Sequence, residues 1–191
     1  MDTFRWLAVV LSTVLGLGIT RVLTGFVAAF KMRARTRPDW LPLLLGAVVL
    51  AEILQFWWAL VELLHRTGWS ATDFVLLVTL VLLLFLAAAL IMPTESDLAE
   101  GPGFFERDGR WALLILALFH VAATVANGWF WGQPVLSIPA LPGLALAATS
   151  LTAAVTTRRH LQEAMAVLYL VLSIAAVVMD SAASYGGGNG G

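Results

Sequence analysis

Six long apolar stretches alternate with short polar segments along this chain. A membrane-spanning helix needs about 20 mainly apolar residues. The pattern therefore predicts spans over about 3–30, 41–64, 71–92, 111–131, 136–157 and 161–181. The expected fold class is all-α: a polytopic membrane protein, one bundle of six transmembrane helices over residues 1–185, followed by a Gly-rich tail at 186–191. Pro93 closes the third stretch, and Pro134, Pro139 and Pro142 crowd the start of the fifth, so an irregular first turn is expected there.

Composition fits that pattern. Of 191 residues, 60% are hydrophobic and 12% charged, and mean hydropathy is +0.90. Soluble domains carry about 25% charged residues. A net charge of −1 points to no nucleic-acid partner. The lipid bilayer is the expected partner, with a homo-oligomer or a membrane-complex subunit left open. The chain has no cysteine, which excludes disulfides, thiolate metal sites and cysteine nucleophiles. A signal peptide is not expected, because the first apolar stretch is long and its basic cluster follows it.

The position of the charges predicts orientation. Lys31, Arg33, Arg35, Arg37, Arg107, Arg110, Arg158 and Arg159 all fall in the first, third and fifth loops, against Arg5 and Arg66 on the other side. The positive-inside rule puts those three loops in the cytoplasm and both termini outside, as an even number of spans requires. Trp6, Trp69, Trp129 and Trp131 at one set of helix ends, with Trp40 and Trp111 at the other, form an expected interfacial belt. Trp57 and Trp58 lie deeper and are expected to pack between helices. The third loop, with Glu95, Asp97, Glu100, Glu106 and Asp108 around Phe104 and Phe105, reads as a solvated connector whose aromatics dip into the interface.

Polar residues inside the spans are the candidate chemistry. Arg21 lies in the first stretch, with Gly18 and Gly25 on its own face and Gly16, Thr20 and Thr24 as a neighbouring small-residue stripe. Such stripes let helices approach closely in lipid. At 1.5 Å per residue, Arg21, Glu52 and His120 each lie about 14–17 Å from the basic ends of their helices. They share one layer near the bilayer middle, with Tyr169 at similar depth. Adjacent helices joined by a short loop make Arg21 and Glu52 the expected ion pair. The second helix continues through Gln55, Ala59 and Glu62, and the fourth through Thr124, Asn127 and Trp131. These stripes suggest a polar track running outward toward Glu62 and His65. The candidate ligand or ion pathway is Arg21, Glu52, Gln55, His120, Thr124 and Asn127. Packing is the competing explanation, since a buried ion pair can simply fix which helices meet. Glu62 and Arg66, at spacing four, suggest an exposed pair.

Other chemistries find little support. The histidines are too dispersed to flank a haem, and no His, Asp or Glu grouping has zinc spacing. No Gly-x-Ser-x-Gly elbow occurs and no P-loop occurs, so no catalytic residue, cofactor or metal is assigned and the reading leans away from an enzyme. The second half does not repeat the Gly/Thr/Arg pattern of the first.

The run Gly16-Leu17-Gly18-Ile19-Thr20-Arg21, with Gln55-Phe56-Trp57-Trp58, Asp97-Leu98, Phe104-Phe105 and Arg110-Trp111, resembles a family of small bacterial multi-pass inner-membrane proteins of unassigned function. The resemblance implies a bacterial cytoplasmic membrane, with periplasmic termini, and transfers no catalytic residue. The function expected is transport or channel-like, or membrane ligand binding, around the Arg–Glu–His layer. The alternative is a non-catalytic structural or assembly subunit of a membrane complex.

Overall fold

The structure, a computed structural model, describes residues 3–35, 39–63, 66, 68–100 and 103–186, apart from the side chains of Thr3 and of 180–186. Arg37, Leu64, His65 and residues 187–191 of the expected tail lie outside the described residues. In order the elements are α1 (Thr3–Met32), α2 (Trp40–Glu62), α3 (Ala71–Ile91), a short α4 (Glu95–Ala99), a π-helical turn (Phe105–Gly109), α5 (Arg110–Trp131), a 3₁₀ turn (Ile138–Ala140), α6 (Leu141–Val155) and α7 (Arg159–Gly186). Among the described residues, six helical segments are long and apolar enough to cross a membrane, the fifth counted from the 3₁₀ turn through α6 (Ile138–Val155).

Local signals set the boundaries. Asp39 caps α2 by accepting from the Leu41 amide at 3.0 Å. Ser70 with Asp73, and Thr94 with Asp97, form reciprocal capping boxes at the starts of α3 and α4. Gly132, at φ 67°, ends α5 in the left-handed region that favours glycine. The prolines before the fifth span leave a 3₁₀ turn and then a helix of 15 residues.

Helix α3 forms the spine of the bundle, packing against α1, α2 and α5, while α6 lies on α5 and α7 closes against α6 and α2. Its core positions Leu80, Val81, Leu84 and Ala87 belong to one buried apolar cluster with Leu15 of α1, Ile53 of α2 and Leu116 of α5. Glycines permit the closest approaches. A Cβ on Gly25 would stand 2.7 Å from Met92 Cβ, and one on Gly46 would overlap the Met92 thioether. The ends of α1 and α2 thus close around Met92, the residue that ends α3. Gly18 brings α1 onto Ile53 and the Phe85 backbone. The other small-residue stripe behaves differently from expectation: nothing lies within 4 Å of a Cβ on Gly16. Thr20 and Thr24 are exposed and bond back to carbonyls of their own helix.

The loop arrangement corrects three sequence expectations. Trp57 and Trp58 are 44% and 73% exposed, because α2 buries the face carrying Val49, Ile53 and Leu60. Phe105 does not dip into an interface. It is buried against Gly109, with the Arg159 guanidinium 5.4 Å from its ring centre. Nor do Glu62 and Arg66 pair along one helix, since α2 stops at Glu62. Arg66 instead meets Asp73 at 3.4 Å and lies over the Phe130 ring. At the basic end, Arg159 of the fifth loop holds Asp39, Glu106 and Glu163, while Lys31 meets Glu95 at 3.3 Å. The first, third and fifth loops are therefore tied together at one end of the bundle.

Candidate functional site

Arg21 and Glu52 do not pair. Arg21 shares a face of α1 with Gly18 and Gly25, and that face meets α2 and α3. Its Nη2 donates to the Ala89 carbonyl at 3.2 Å and to the Met92 carbonyl. The sequence explains why acceptors are free there. In a continuing helix the Ala89 carbonyl would accept from the amide of residue 93. That residue is proline, which has no N–H and drives the residue before it out of helical conformation. Met92 accordingly has φ −95° and ψ 123°. Arg21 thus caps the last turn of α3, where carbonyls lack intrahelical partners. The Asp97 carboxylate in α4 adds a countercharge within electrostatic reach.

Glu52 turns the other way, toward α5 and α7. Its Oε1 accepts from Ser173 Oγ at 3.2 Å and from the Tyr169 hydroxyl at 3.4 Å, and lies 4.0 Å from His120 Nε2. Tyr169 also hydrogen-bonds His120 Nε2. Glu52, His120, Tyr169 and Ser173 are all less than 9% exposed. Ser150 of α6, at 1%, lies close to the Tyr169 hydroxyl but outside hydrogen-bond geometry. Three helices therefore supply one enclosed polar centre, and a fourth closes it.

The donors and acceptors of this centre are interdependent. Tyr169 has a single hydroxyl proton. Donated to Glu52, it leaves the tyrosine oxygen to accept from His120 Nε2–H. Donated to Nε2, it leaves Glu52 with Ser173. The two arrangements require different neutral tautomers of His120, protonated on Nε2 in the first and on Nδ1 in the second, with the phenol hydrogen turned from one acceptor to the other.

The remaining expected site residues separate from this centre. Thr124 is buried, but its hydroxyl donates to the His120 carbonyl at 2.8 Å and its Oγ1 would lie 2.9 Å from a Cβ on Gly143. It packs α5 on α6. Asn127 is exposed, although it keeps the helical phase of His120. The far half of α7, including Ile174, Val178 and Met179, is exposed too. Gln55 is partly exposed and makes no side-chain hydrogen bond among the described residues. Among the described residues, Gln55 and Asn127 do not join Glu52 and His120 in a continuous outward track, and His65 lies outside them. Ser173 was missed in the sequence, and Tyr169 was noticed only for its depth. Both belong to a stripe on α7, Gln162, Ala166, Tyr169 and Ser173, at spacings of four, three and four, and all four are buried. That spacing was available as a signal.

Among the described residues, no three His, Asp or Glu side chains converge to hold a metal. No family model, curated protein or solved structure matches the chain.

Proposed function

We propose that the chain is a small integral membrane protein of transport or channel type, in which Glu52, His120 and Tyr169 form a proton- or small-cation-handling centre. Location in a bacterial inner membrane, with the basic loops cytoplasmic and both termini periplasmic, is part of the proposal. The single observation that carries it is the convergence of a carboxylate, a phenol and an imidazole from three helices inside an apolar bundle. Removing ionisable groups from water costs several kcal/mol per ion when they are charged. Ionisable residues within membrane spans mark ion pathways and proton relays unusually often. Arg21, fixed to backbone carbonyls, is a scaffold residue in this reading.

The test is proton flux. Purified chain in proteoliposomes with a trapped pH dye should dissipate an imposed pH gradient, and Glu52→Gln should abolish the flux while leaving the chain folded. If Glu52→Gln only lowers stability, and the wild-type vesicles are as tight as empty ones, the centre serves packing. The structural or assembly subunit is then the better reading.

A further inference from the structure

A groove of about 500 Å³ opens at the basic end between α1 and α2, lined by Phe26, Val27, Ala29, Phe30, Arg33 and Leu43. Five of its six lining residues are apolar, and the sixth is a cation at one edge. The size lies within the usual range of small-molecule sites, about 300–1,000 Å³. Arg33 is folded back over the groove wall. Its Nη1 donates to the Phe30 carbonyl at 2.6 Å, and its Cζ stands 3.7 Å from the Phe30 ring centre. A guanidinium has five N–H donors in a planar fork, so the group is held in place with donors left over. Lys31 and Arg35 flank it, and Arg37 follows in the sequence. Lys31 is engaged by Glu95, while Arg33 has no carboxylate within 4 Å among the described residues.

We propose that this groove holds one anionic phospholipid, with an acyl chain along Phe26, Val27 and Leu43 and its phosphate on Arg33. Charge complementarity selects the occupant. An apolar slot ending at an arginine, inside a cluster of basic residues, matches a molecule with a long hydrocarbon chain and an anionic head. Basic pockets between helices at the cytoplasmic face recognise anionic lipid heads in this way, and the arginine fork suits phosphate geometry. The inference rests on the membrane location and is independent of the buried Glu52 centre.

Native mass spectrometry of the delipidated chain, given equimolar phosphatidylglycerol and phosphatidylcholine of the same chain length, tests it. The wild type should retain phosphatidylglycerol at least threefold over phosphatidylcholine. Arg33→Gln should bring that ratio to parity, and Arg35→Gln should leave it largely unchanged. Val27→Trp, at a half-exposed position that narrows the slot, should reduce retention of both lipids several-fold at an unchanged melting temperature. Equal retention of the two lipids by the wild type would overturn the proposal, as would an Arg33→Gln variant with wild-type preference. Equal losses in Arg33→Gln and Arg35→Gln would mean diffuse attraction to the basic loop, not a site. A dimer that forms only as lipid is lost would make a second copy the occupant, again overturning it.

Discussion

Replacing Arg21 by glutamine tests what this part-buried charge is bound to. The side chain donates to two backbone carbonyls at the end of α3, and one of them, Ala89, has no helical donor because residue 93 is proline. Hydrogen bonds from charged donors are worth about 1.5–3 kcal/mol each. Glutamine is shorter and has one NH₂ group, so it can replace at most part of the cap. Relief of the arginine's desolvation acts in the opposite direction. The expected net loss for Arg21→Gln is about 1.5–3 kcal/mol, on the scale of one such bond. The assay is reversible unfolding of the purified chain in mixed micelles titrated with a denaturing detergent. The decisive measurement is a cycle with Glu52→Gln. The two residues share no partner, since Arg21 faces the end of α3 and Glu52 faces Tyr169 and Ser173. Their effects should add to within about 0.5 kcal/mol. If they were an ion pair, each single change would strand a buried charge, and the double variant would be more stable than either sum implies. A coupling above about 1 kcal/mol would refute the assignment of Arg21 to the carbonyls.

Two further predictions concern the polar centre and the topology. Tyr169→Phe removes one buried oxygen and leaves His120 Nε2 without its phenol partner, which should cost about 1–3 kcal/mol in the same unfolding assay; a loss below about 0.5 kcal/mol would mean that His120 is satisfied otherwise. The chain has no native cysteine, so Gly68→Cys and Ala99→Cys, both at exposed positions, report orientation. An impermeant thiol reagent should label Gly68→Cys on intact cells and Ala99→Cys only after permeabilisation, and the reverse pattern would overturn the proposed orientation.

The six membrane-length segments, and the limits of the first four to within a few residues, were legible because each rests on a one-dimensional signal. Apolar length marks α1, α2, α3 and α5, and capping residues such as Ser70 with Asp73 mark starts. Prolines mark the irregular start of α6. Depth was legible as well, and it brought Glu52, His120 and Tyr169 to one level. Azimuth was not. Helical periodicity shows which residues of one helix share a face, but not which neighbour that face meets. Glu52 and Arg21 lie on adjacent helices at comparable depth, yet α2 turns its carboxylate to α7, a helix far away in sequence. Asn127 shows the same limit: its phase matches that of His120, yet it is exposed while His120 is buried.

The partner of Arg21 was nevertheless written in the chain, though in its backbone chemistry and not in its charges. Ala89 precedes Pro93 by the four residues of a helical hydrogen bond, so an acceptor left open inside the apolar region follows from the sequence alone. An unsatisfied carbonyl in lipid costs several kcal/mol, as does an unpaired guanidinium, and bringing the two together offsets both. A search for opposite charges overlooks that solution, because it counts a carboxylate as the natural counterpart of an arginine. In a bundle with few carboxylates and a proline-terminated helix, carbonyl oxygens are the more available acceptors. Once Arg21 is satisfied by α3, Glu52 has no cation among its described contacts. A carboxylate held only by a serine, a phenol and an imidazole is where proton exchange has a chemical route, which is why the functional proposal rests on Glu52 rather than on Arg21.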